Sequence, residues 1–132
     1  MDMMPIANKL QALNLGVKGK TLFVNFMPME CKDGILLRSP LNGTDIDHEL
    51  PGYYKTSFNV IVRGHDYQTA AAKMQQVMTG LCFFEQALDG VHYKYVRPKS
   101  LPVTFPVSDG NFYEIQVNFD ANFVGATYGY GS

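Results

Sequence analysis

Residues 59–78 read NVIVRGHDYQTAAAKMQQVM, and the hydrophobic rhythm changes halfway through. From Tyr54 to Val62 it has period two: Tyr54, Thr56, Phe58, Val60 and Val62 share one face, while Lys55, Ser57, Asn59 and Ile61 share the other. That is the signature of a half-buried strand. From Tyr67 the period lengthens to 3.6, with Tyr67, Ala70, Ala71, Met74, Val77, Met78 and Leu81 on one stripe and Gln68, Lys73, Gln75, Gln76 and Thr79 facing away. A strand therefore runs into a helix, with Asp66 placed to cap it and Gly80 near its end. Arg63, His65 and Asp66 fall at the junction, as an active-site constellation would.

Working outward, the N-terminal segment predicts a helix that buries Met3, Ile6, Leu10 and Leu13, with Asp2 to cap, Pro5 in the first turn and Gly16 as the stop. A strand near 20–27 and another near 34–39, joined by MECKDG, suggest a hairpin. The stretch SPLNGTDIDHELPGY, residues 39–53, reads as a long loop, of the kind that is functional or partly disordered. After a turn around ALDG, VHYKYVRP predicts a strand. LPVTFPV, with two prolines, is confined to a sheet edge or an extended segment. In FYEIQVNFDANF the residues Tyr113, Ile115, Val117, Phe119, Ala121 and Phe123 point one way and Glu114, Gln116, Asn118, Asp120 and Asn122 the other, so this is a long strand with one wet face. The order gives an α+β domain over residues 1–125, with a mainly antiparallel sheet and helices on one face. Residues 126–132 carry too little bulk to fold alone and are expected to be a flexible tail, or one ordered by a neighbour.

At 132 residues one core is expected. Charged residues are only 17% and aromatics 13%, a balance suited to a protein that covers surface with partners. The net charge is −1 with no basic run, which disfavours nucleic-acid binding by global electrostatics. Cys31 and Cys82 lack a second ligand at metal spacing, so two reduced thiols are expected, Cys82 in the core. Asp2 and Pro5 stand where a signal peptide needs basic and apolar residues, and no segment approaches a membrane span.

The search for chemistry returns little. Asp45, Asp47, His48 and Glu49 crowd oxygen and imidazole donors together, but without the glycine turn and distal glutamate of a calcium loop or a second histidine. A solvated or partner-contacting acidic loop is the better reading. NLGVKGKT has the wrong glycine spacing for a phosphate loop and follows a helix. His65 oriented by Asp66 as a general base, with Arg63 holding an anion, would need a nucleophile and a facing geometry that adjacent residues do not supply. The simpler reading has Gly64 permitting the turn, Asp66 capping and Arg63 pairing with a carboxylate or a neighbouring subunit. No catalytic, cofactor-binding or metal residue is assigned.

The strand ending in Arg63-Gly64, the polar step to Asp66-Tyr67 and the helix containing Ala70 and Ala71, followed by the strand YEIQVNFDANF, resemble the tail-terminator (tail-completion, or minor capsid) proteins of long-tailed bacteriophages. Length and element order match over roughly residues 1–125. The resemblance implies a structural virion subunit, without catalysis or cofactor, assembled in the host cytoplasm. It would form a homo-oligomeric ring, by expectation of six, at the neck-proximal end of the tail. There it would cap the tail tube protein and offer its other face to a head-completion or neck protein, with DNA passing through but no specific nucleic-acid binding and no membrane. Arg63, Asp66 and Tyr67 become candidate structural or intersubunit residues. The alternatives are another head–tail connector or tube subunit and, from a different class, a small enzyme using His65 and Asp66.

Overall fold

A computed structural model describes residues 2–28, 30–40, 45–46, 53–107 and 112–124. Of residues 45, 46, 53, 106 and 107 it describes the backbone alone. The elements are α1 (Met4–Ala12), β1 (Leu22–Val24), β2 (Gly34–Arg38), β3 (Asp45–Ile46), β4 (Tyr53–Gly64), α2 (Tyr67–Gly80), β5 (Phe83–Leu88), β6 (Val91–Pro98), β7 (Val103–Val107) and β8 (Phe112–Val124).

The two strands with the clearest alternation form the centre. β4 and β8 pair antiparallel from Tyr53↔Val124 to Gly64↔Tyr113. On one face Phe58 stacks on Phe119, with ring centroids 5.3 Å apart, and Tyr54 lies 5.2 Å from Phe123. Such aromatic pairs add about 0.5–1.5 kcal/mol each beyond the area they bury. Both helices cover this face: Met3, Ile6, Ala7 and Leu10 of the α1 segment and Ala70, Met74, Val77 and Leu81 of the α2 segment join one core with Phe58, Val60, Val62, Ile115, Val117 and Phe119. The opposite face keeps a polar ladder, in which the Ser57 hydroxyl donates to Asp120 at 3.1 Å and the Asn59 amide to Asn118 at 2.8 Å. Alternation in sequence has become one dry surface and one partly wet one, on which Ile61, Arg63 and Asn122 are nonetheless buried.

The sheet order is β1-β2-β4-β8-β6-β5, with β3 on β4 and β7 on β8. α1 packs against both β1 and β5, the two ends of that order, so the sheet curls round the helix side. β5 and β6 form a hairpin through Asp89 and Gly90, both with positive φ (51° and 82°), the backbone of a two-residue turn whose twist matches the strands.

Several expectations are corrected. β1 and β2 are parallel, Leu22↔Ile35 to Val24↔Leu37, and not a hairpin. The chain turns at Asn25, at φ 66°, runs back past the buried Met27 and re-enters alongside, where the Ile35 amide donates to the Thr21 carbonyl. α1 ends at Ala12 and the chain leaves it through Asn14 (φ 61°), not Gly16; a Cβ on Gly16 would lie 2.9 Å from that of Leu22, so close packing is what requires glycine there. Leu13 and Tyr67, at the ends of their helical stripes, are exposed, as is Cys82. β5 was not foreseen at all.

Candidate functional site

The joint between β4 and α2 is built by local chemistry. Asp66 takes an extended conformation (φ −130°, ψ 133°) and its carboxylate accepts the Thr69 amide at 3.4 Å and the Thr69 hydroxyl at 3.0 Å. The Thr69 hydroxyl is the main reason its pKa lies below the ordinary aspartate value, because a donated hydrogen bond favours the charged form. Gly64 ends β4 without a left-handed φ; a Cβ there would sit 2.9 Å from Ala70 Cβ, so the glycine serves the approach of helix to strand and not a turn.

Arg63 points to the wet face of β4 yet is only 7% exposed. Its Nε and Nη2 donate to Glu114 Oε2 of β8 at 3.1 and 2.9 Å, and Nη1 donates to the carbonyls of Pro28 and Cys31 at 3.0 Å each. Its guanidinium also lies 4.6 Å from the centre of the Phe112 ring. One side chain thus ties the central strand pair to the connection between β1 and β2. A planar fork with several fixed donors is what arginine supplies and lysine does not.

His65 and Asp66 do not form a dyad. His65 Nδ1 is 2.9 Å from Asp33 Oδ1, and its backbone amide donates to the same oxygen at 3.3 Å. Both His65 and Asp33 are largely exposed, so this pair acts as an outer fastener on the connection that Arg63 holds from within. Tyr67 lies edge-on to Tyr113, with centroids 6.2 Å apart, and both rings reach solvent. Asp45 is placed by its backbone opposite Lys55, while Asp47, His48, Glu49 and residues 126–132 lie outside the described residues.

Two further features carry no mark in the sequence as polar sites. A pocket of about 380 Å³ opens beside the joint, between the end of α1 and the start of α2, with Ile35 and Val62 in its wall. Leu101, just before β7, and Val103 and Phe105 on it are 83%, 51% and 49% exposed at alternate positions, and among the described residues β7 pairs with β8 alone. The i, i+2, i+4 spacing could have flagged them as one stripe. Both cysteines are unbridged, and no cluster of three metal-ligating side chains occurs among the described residues. No helix among them is long and apolar enough to cross a membrane.

Residues 9–124 match a protein family described as "Bacteriophage tail terminator protein". The chain belongs to that family. Its fold also matches a chain of a solved structure titled "Virion of native gene transfer agent (GTA) particle", with a TM-score of 0.61 and 17% identity over 92% of this chain and 95% of the other. At that identity the likeness speaks for the fold alone. No curated protein matches. Membership of the tail-terminator family makes the protein a structural component of phage-type tails, located in a virion, and argues against an enzyme. The resemblance carried by Arg63, Gly64, Asp66 and Tyr67 therefore pointed to the right family, and within the chain Arg63 ties β4 and β8 to the connection between β1 and β2.

Proposed function

We propose that this tail-terminator chain assembles into a ring, of six by expectation, that caps the tail tube when the tail reaches its length and presents its free face for joining to the head. The family match over residues 9–124 carries this reading. The structure supports it in two ways. The polar groups at the joint have structural partners within the chain: Arg63 pairs with Glu114, His65 with Asp33, and Asp66 caps α2. The stripe leaves apolar side chains on a strand whose second edge has no partner among the described residues, a surface that a second chain stabilises by covering.

The test is light scattering of the protein alone and after incubation with purified tail tubes, followed by electron microscopy. A self-assembled species that stops tube growth from one end is expected. A strict monomer that never binds tubes would sink the proposal, and binding along the tube wall would point to a tube subunit.

A further inference from the structure

The pocket and the exposed stripe lie on one row of the sheet. Ile35 of β2 pairs with Val62 of β4, Val62 with Ile115 of β8, and Ile115 with Thr104 of β7. Ile35 and Val62 stand in the pocket wall, on the face that the helices cover. Val103 and Phe105 flank Thr104 and belong to the opposite face, with Gln116 and Glu114. Three strand spacings, about 14 Å, separate the two ends of the row. Because β7 is held along β8, a chain cannot bring its own stripe to its own pocket.

Strand addition does not account for the stripe. The Lys99 amide donates to the Asn118 carbonyl at 2.7 Å, so Asn118 turns its backbone groups toward β6 and β7, and by alternation Gln116 and Glu114 do the same. Val103 and Phe105, opposite them, turn theirs to β8, which leaves Pro102, Thr104 and Pro106 facing outward. Two of these three have no N–H to donate, so the outer edge is a poor template for another strand. What the stripe offers is side chains, and a concave apolar surface buries those best. The pocket is such a surface, walled by Leu15, Ile35 and Val62 and by the half-exposed Val17. The flanking charges are of opposite sign: Asp33 lines the pocket and Lys99 precedes Leu101 by two residues, both more than half exposed.

We propose that Leu101, Val103 and Phe105 of one copy of this chain pack into the pocket between α1 and α2 of the next, a head-to-tail contact between opposite flanks of the sheet. Donor and acceptor lie at one level of the strand ladder. A rotation about an axis along the strands therefore repeats the contact without a rise, which closes a ring and does not wind a filament. The inference rests on the self-assembly part of the proposed function and deepens it by naming the two surfaces.

Two full-length variants test it. Leu101→Asp with Phe105→Thr spoils the stripe at exposed positions and keeps the pocket; Val17→Asp sets a charge in the pocket wall and keeps the stripe. Each alone should lose the wild-type assembly in light scattering, while an equal mixture should recover a species of two chains, since one still offers a pocket and the other a stripe. Assembly of either variant as wild type, or a mixture that stays monomeric, would overturn the proposal. As a direct arm, the stripe variant is 15N-labelled and titrated with the unlabelled pocket variant. Saturable shifts at the Val62, Thr69 and Ala70 amides are expected, and the reverse labelling should move Val103 and Thr104. Absence of shifts at millimolar concentration would overturn the proposal even if the wild type is a monomer in light scattering. Variants that assemble as wild type but no longer bind tubes would assign the stripe to the tube, leaving the proposed function standing and this inference fallen.

Discussion

The Arg63 joint and the β7 stripe invert the usual reading of polar and apolar residues. At the joint an arginine, a histidine and two aspartates cluster as a catalytic site would, yet the arginine is buried and makes four hydrogen bonds to its own chain. On β7 and just before it a leucine, a valine and a phenylalanine look like core, yet all three face solvent. The polar residues hold the subunit together, and the apolar ones are left over for contact. In a structural tail protein, such a stripe is apolar surface that a partner could still bury.

The largest test of that contrast is Arg63→Ala. It removes the partner of the part-buried Glu114 and one donor each from the Pro28 and Cys31 carbonyls, so unfolding in urea should show a loss of about 1.5–3 kcal/mol, the worth of hydrogen bonds to a charged group. Arg63→Lys should recover only part, because one ammonium cannot reach the carboxylate and both carbonyls in the same geometry.

A smaller effect is expected at the cap. The folded-state pKa of Asp66 lies below its unfolded value near 3.8, so its contribution is present above that value and fades as the pH falls through the lower, folded one. Asp66→Asn should therefore lower the urea midpoint at pH 7, with the gap to wild type closing as both are acidified below about pH 4. A gap that widened on acidification would reverse the assigned sign.

The smallest effect on stability belongs to the stripe. Val103→Thr with Phe105→Thr keeps strand-favouring residues at exposed positions, so stability should stay within about 0.5 kcal/mol of wild type. Assembly or tube binding should nonetheless weaken. A double variant that unfolds readily yet still caps tubes would erase the distinction between the two regions.

Much of the frame was legible in sequence, for reasons that can be named. β4, α2 and β8 follow period two or 3.6 over ten residues or more, long enough for burial to write a clear pattern, and Asp66 is a cap that needs only the three residues after it. β5 was missed because FFEQAL does not alternate and follows directly on the helix; the Asp89-Gly90 pair was its signal, as a two-residue turn requires a strand on each side. The parallel β1–β2 pair depends on a left-handed turn at Asn25 and a buried return through Met27, which no local pattern announces. Tyr67 sits on the apolar stripe but in the first turn of α2, against the half-exposed Tyr113 near the start of β8, so periodicity overstates its burial. At the site, Arg63 could be read as a partner of some carboxylate. Glu114, 51 residues away, and two loop carbonyls could not be named without the fold.

The account stands or falls on where the protein goes when offered a tail tube. Purified tubes incubated with it and imaged by cryo-electron microscopy should carry a ring of density at one end only and should no longer elongate when free tube protein is added. Density spread along the tube wall, or bare ends that keep growing, would contradict it.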